Sequence, residues 1–91
     1  MGLKMATSYT NVTLTTEWVD LTVANAALAN VPVVVQNRSI ASAVFIFFGG
    51  ASAPATNDGA LLEHGDSVDG TSDHIWARSQ GTAQLYTALK D

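Results

Sequence analysis

The stretch NRSIASAVFIFFGG, residues 37–50, decides how this chain folds. From residue 43 to residue 48 both alternating sides are apolar. Ala43, Phe45 and Phe47 fall on one side; Val44, Ile46 and Phe48 fall on the other. A strand with two apolar faces is normally buried on both. One face belongs inside a packed pair of sheets. The other needs cover, either from the first 30 residues of the chain or from outside it. The expectation taken forward is that Val44, Ile46 and Phe48 meet a second subunit or a larger surface.

The bounds make that question sharp. The chain has 91 residues, enough for one domain spanning 1–91. A domain of this size buries only about 60–65% of the surface its unfolded chain exposes. It contains no cysteine, so disulfides and thiolate metal sites are excluded. Charged residues make up 13% of it, about half the usual share, so much of the surface is neutral. The net charge is −4 with four basic residues in all, which leaves no basic cluster for a phosphate backbone. No direct nucleic-acid partner is expected. Residues 39–57 carry no charge, but GGASAPAT fills the second half of that run, where a membrane span needs about 20 mostly apolar residues. No membrane partner and no signal peptide are expected.

Short apolar runs rich in Val, Thr and Ala, punctuated by Gly, Pro, Asn and Asp, predict an all-β fold. The expected class is a single small β-sandwich, jelly-roll-like, of about seven short antiparallel strands. Residues 11–15, 18–23, 31–37, 42–48, 60–64, 74–79 and 82–89 are the expected strands; the first 30 residues form either a first strand pair or an arm onto a neighbour, with residues 1–10 the candidate arm. The apolar side switches from Val12 and Leu14 to Val19, Leu21 and Val23, so a turn or bulge is required near residues 15–17. Residues 24–30 are helix-like but short. Residues 49–59 and 65–73 are expected as loops. Residues 74–79 and 82–89 are expected to form a hairpin around Gln80 and Gly81. If Ile75 and Ala77 face the core, Trp76 and Arg78 share the outer face. Trp and Arg are enriched among interface hot spots, so both join the expected contact residues.

The motifs QNRS, AVFIFFGGASAP, DGALLEHGDSV and HIWARSQGTAQLYTAL together resemble a small β-sandwich module in virion proteins of tailed bacteriophages. The resemblance covers residues 33–89 and rests on turn and core positions. It implies a structural virion protein, most simply a capsid decoration or cement protein that stabilises the head from its exterior. A neck or connector part, a tail part or a head-fibre subunit are the alternatives within that resemblance. It also implies assembly in the host bacterial cytoplasm, residence in the virion, and partners among the major capsid protein or other virion proteins. A homotrimer suits a three-fold capsid position. A glycan-binding β-sandwich is a separate alternative, which would need exposed aromatics among Tyr9, Trp18, Trp76 and Tyr86.

Catalytic and metal chemistry are poorly represented. The nucleophile-elbow pattern is missing, since GGASA lacks its last glycine. His64 and His74 have no third ligand at metal spacing. Asp66, Asp69 and Asp73 in DSVDGTSD could gather around calcium, but their spacing departs from the EF-hand loop. The expectation is a protein that is not an enzyme and holds no cofactor or metal.

Overall fold

Alternating burial along residues 33–37 and 75–79 shows which way the chain faces. The computed structural model describes residues 5–55 and 58–90. Within them run β1 Met5–Ser8, β2 Val12–Leu14, β3 Val19–Asp20, α1 Leu21–Ala24, a 3₁₀ turn Ala26–Leu28, β4 Val33–Asn37, β5 Val44–Phe48, β6 Ala60–Leu62, β7 Ser67–Gly70, β8 Ile75–Ser79 and β9 Ala83–Lys90. One sheet has the order β1-β9-β4-β7, with β2 also paired to β9; the other has the order β3-β8-β5-β6. All pairs are antiparallel.

The pairing is nested. β1 and β2 pair with β9, β3 with β8, β4 with β7, and β5 with β6. The chain is therefore one long hairpin, first strand against last, rolled until β4 meets β9 and β5 meets β8. That is the jelly roll, and the small all-β sandwich expected from composition is the fold.

Several expected details change. The strands number nine among the described residues, because β1 and β7 were not anticipated. Residues 5–8, expected in an arm, lie in the sheet along β9; residues 1–4 lie outside the described residues. β8 and β9 are not a hairpin. They occupy different sheets, and the turn at Gln80 and Gly81 carries the chain across. The expected strand 18–23 stops after Asp20. Asp20 caps α1, its Oδ1 accepting the Thr22 amide at 3.0 Å. A carboxylate that satisfies an early helix amide favours the turn over continued extension. The required break near residues 15–17 is real: there the chain leaves the first sheet for the second.

The face of β5 toward the interior is the even one. Val44 and Ile46 are 0% and 1% exposed and sit in the core with Leu14, Val35, Ile75 and Leu85. Phe48 packs against the same cluster. Its ring closes over Gly70 of β7, where an added Cβ would come within 3.0 Å of it. These three residues, expected to meet a partner, are instead the seam between the two sheets of one chain. Gly59 allows β6 to return alongside β5: its φ is +98° and a Cβ there would lie 2.3 Å from the Ile46 carbonyl oxygen.

The crossings between sheets are tied by Asn37, which is 0% exposed. Its Nδ2 donates to the carbonyls of Ser42 at 2.9 Å and Leu62 at 3.0 Å, while Oδ1 accepts the Ser39 amide at 2.9 Å. Its own amide donates to Asp66 O at 3.0 Å, and its carbonyl accepts from Gly65 N at 2.9 Å. One residue thus holds the passage from β4 to β5, the end of β6 and the turn into β7. Asn37→Leu leaves three of these backbone groups unpartnered. We expect it to lower the unfolding free energy by about 3 kcal/mol. Urea denaturation of the isolated chain measures this, and a loss under about 1 kcal/mol would contradict the role given to Asn37.

Candidate functional site

The outer face of the β3-β8-β5-β6 sheet gathers Trp18, Phe45, Phe47 and Trp76. Cross-strand partners lie on one face of a sheet. Asp20, Trp76 and Phe47 form one row across it, and Arg78, Phe45 and Leu61 the next. Trp18 stands at the outer end of the second row, beside Arg78. The expectation that Trp76 and Arg78 face outward together is met, with Ile75 and Ala77 buried on the other side.

Arg78 links this face. Its guanidinium lies 5.4 Å from the centre of the Phe45 ring and 5.9 Å from that of Trp18. Both distances fall within the range in which a cation is attracted to a ring face. Its Nε donates to Thr16 O at 2.8 Å. The result answers the opening question. Phe45, on the second apolar face of β5, is 8% exposed because Arg78 and the segment around Trp18 help to cover it. Cover comes in part from the first 30 residues. It is incomplete: Leu61 remains 50% exposed, and Phe47 and Trp76 are half-buried. Trp76 is oriented by its indole N–H, which donates to Gly50 O at 2.9 Å. The Trp18 Nε1 is buried without a hydrogen-bond partner among the described residues.

One edge of the face carries a hydrogen-bonded pair. His74 Nδ1 lies 2.6 Å from Asp20 Oδ2. Asp20 Oδ1 accepts from the Thr22 hydroxyl at 2.7 Å as well as from the Thr22 amide. Partial burial pushes the Asp20 carboxyl up, but the hydrogen bonds from Thr22 and His74 outweigh it and hold the carboxyl below its ordinary value of 3.8. The pair resembles half of a catalytic triad, yet the Ser72 hydroxyl is engaged elsewhere. Ser72 Oγ accepts the backbone amide of His74 at 3.3 Å and donates to Asp73 Oδ1 at 3.3 Å. The geometry fits a clasp between the start of β8 and the cap of α1.

The three aspartates considered for calcium do not meet. Asp69 lies on the edge strand β7 and pairs with Lys90 Nζ at 2.9 Å. Asp66 Oδ2 accepts the Glu63 amide at 3.0 Å, and Asp73 is at the far end of β7 beside Ser72. Among the described residues no three acidic or histidine side chains converge on a common point.

Sequence reasoning found Trp76 and Arg78 but missed Trp18, Phe45 and the Asp20–His74 pair as members of one face. Only the Asp20-Leu21-Thr22 capping pattern was visible locally. No protein-family model, curated protein or solved structure matches this chain.

Two outcomes follow from this geometry. Arg78→Ala should destabilise the isolated chain by about 1–2 kcal/mol, through lost stacking and lost cover over Phe45, with Arg78→Lys intermediate. Urea unfolding checks both; an unaffected Arg78→Ala would contradict the covering role. The Asp20 carboxyl binds its proton less readily folded than unfolded. Its stabilising contribution is therefore complete above the ordinary value of 3.8 and fades as pH falls through the lower folded value. Comparing unfolding at about pH 6 and about pH 3, Asp20→Asn should lose less stability on acidification than the parent chain.

Proposed function

We propose that this chain is a structural protein of the tailed-phage virion, a capsid decoration protein that binds the outside of the head. The observation that carries the reading is the outer face around Trp76, Phe47 and Leu61, aromatic, oriented and only partly covered. Exposed apolar surface of this kind usually marks a contact. The motifs of residues 33–89 that resemble phage virion modules support the same reading. So does the low charge, since few ions must lose water when such a surface is covered. The proposed partner is the major capsid protein, met through Trp76 and Leu61, with Arg78 both supporting the face and bordering it.

The expected homotrimer rested on a β5 face that turned out to be interior. It now depends on the same outer face, shared among three copies or given wholly to the capsid. Sedimentation of the isolated chain at micromolar concentration separates these arrangements.

The jelly roll also occurs in lectins, and Trp18 and Trp76 lie on one face, so a glycan-binding role is the second reading. It is weaker because Arg78 lies over the Trp18 ring and the Trp76 indole N–H is already committed. A glycan array tests it directly.

Particles lacking this protein should release DNA at a lower temperature than complete ones, and adding back the chain should restore the difference. Trp76→Ala should fail to restore it while melting within a few degrees of the parent chain. Equal release temperatures with and without the protein would remove the decoration reading and favour a neck, tail or fibre position.

A further inference from the structure

A cleft of about 300 Å³ opens on the opposite flank of the sandwich, between the β1–β2 edge and α1. Its existence follows from two local features. The register along β9 slips between the pairs Ser8↔Ala88 and Val12↔Leu85, so the edge bulges at residues 9–11, with the Tyr9 amide still bonded to Thr87 O. Bulges of this kind often border binding sites. Opposite the bulge, the Asp20 cap turns the chain into α1, whose Leu21 forms part of the cleft wall together with Leu28 of the 3₁₀ turn.

The lining is apolar at depth and polar at a few points, the composition of a ligand site. Val12, Leu21 and Leu28 provide the apolar wall, and none of the described lining residues is charged. Thr87 supplies the first polar group. It lies on the core-facing side of β9, cross-strand from Val35 and in line with Leu85, and is 1% exposed. Its backbone carbonyl accepts the Tyr9 amide at 3.0 Å, but its hydroxyl has no hydrogen-bond partner among the described residues. Trp18 Nε1 is the one fully buried side-chain polar atom without a partner among the described residues, so the Thr87 hydroxyl is reachable from the cleft it borders. Asn25 adds a second polar group at the wall. Its Oδ1 accepts the Ala27 amide at 3.1 Å, which leaves its NH₂ available.

We propose that this cleft binds a small uncharged compound, a single ring or short aliphatic chain carrying one hydroxyl or carbonyl group. The apolar part lies against Val12, Leu21 and Leu28, and the polar group pairs with the Thr87 hydroxyl. At about 30 Å³ per water-sized group, the volume takes about ten non-hydrogen atoms. The described lining offers no charge to offset the desolvation of a carboxylate, amine or phosphate, which favours an uncharged compound. This inference is independent of the virion role, because the cleft and the Trp76 face involve different residues.

The test uses 4-methylphenol as probe, titrated into the full chain and followed by backbone amide NMR. Saturable shifts at Thr87, Leu28 and Ala24 are expected, with Kd of about 0.1–5 mM for a compound of this size. Thr87→Val keeps the shape and removes the hydroxyl. It should weaken 4-methylphenol about fivefold and leave toluene unchanged. Ala24→Phe, on the exposed side of α1, should fill the mouth and abolish binding at an unchanged melting temperature. The anion 4-methylbenzoate should not compete. Unsaturable shifts, equal binding to the Ala24→Phe variant, or equal 4-methylphenol affinity in Thr87→Val would overturn the proposal. So would a self-associating parent chain that Ala24→Phe disperses, since the cleft would then hold a second copy.

Discussion

The carboxamide of Asn37 is where the two sheets are held to each other. A sandwich is usually described by its apolar interior, and this one has such an interior around Ile46, Val35 and Leu85. Apolar packing is not directional, however, and does not fix where a chain crosses from one layer to the other. The crossings bring backbone groups out of their ladders, and buried groups of that kind must find partners. Asn37 supplies them for Ser42, Leu62 and Ser39 through its side chain, and for Gly65 and Asp66 through its backbone. The geometry of β5 and β6 relative to β4 and β7 depends on that one residue. Asn37-Arg38-Ser39 has the form of a glycosylation acceptor, and the Asn37 amide is both buried and committed, which closes it to that modification.

What the sequence made legible was direction, and what it left illegible was neighbourhood. Period-two alternation placed Ile75 and Ala77 inside and Trp76 and Arg78 outside, because side chains on a strand point to opposite faces by geometry alone. Alternation does not say which strand lies alongside. Gln80-Gly81 suits a hairpin and a crossing between sheets equally well, and the side-chain parity of β8 and β9 is the same in both. β7 was hidden for another reason. It is an edge strand with Val68 as its sole large apolar residue, so DSVDG has the composition of a loop. β5 posed the hardest case. Both of its faces are apolar, and the choice between them is made by distant partners. Gly70 makes room for Phe48 on one side, and Arg78 lies over Phe45 on the other. Neither relation leaves a local signature.

Arg78 explains how a small chain manages two apolar faces with few charges. A guanidinium is planar and weakly hydrated, so it can lie on aromatic rings at a modest desolvation cost. Between Trp18 and Phe45 it covers ring surface while keeping its charge near water. The Asp20–His74 pair acts at the edge of the same face, fixing where β3 ends and α1 begins. That cap separates two surfaces of different character. On one side lie the aromatic rows, and on the other the bulged edge and the cleft behind it.

The nesting of first strand against last also governs when the fold can form. β5 and β6 are close in sequence and can pair early. Each further pair encloses the one before it, so every step closes a longer loop and costs more chain entropy. The outermost pair is also the most consequential, because β9 bonds to β1, β2 and β4 at once. It is the last of these strands to leave the ribosome. Until it arrives, β4 lacks one neighbour and β1 and β2 have none, with their edges open to other nascent chains. A topology dominated by such distant contacts folds slowly for its size. Loss of β9 as a whole would leave β1 and β2 without their partner strand and β4 with β7 alone, so the first sheet would be unassembled rather than merely shortened.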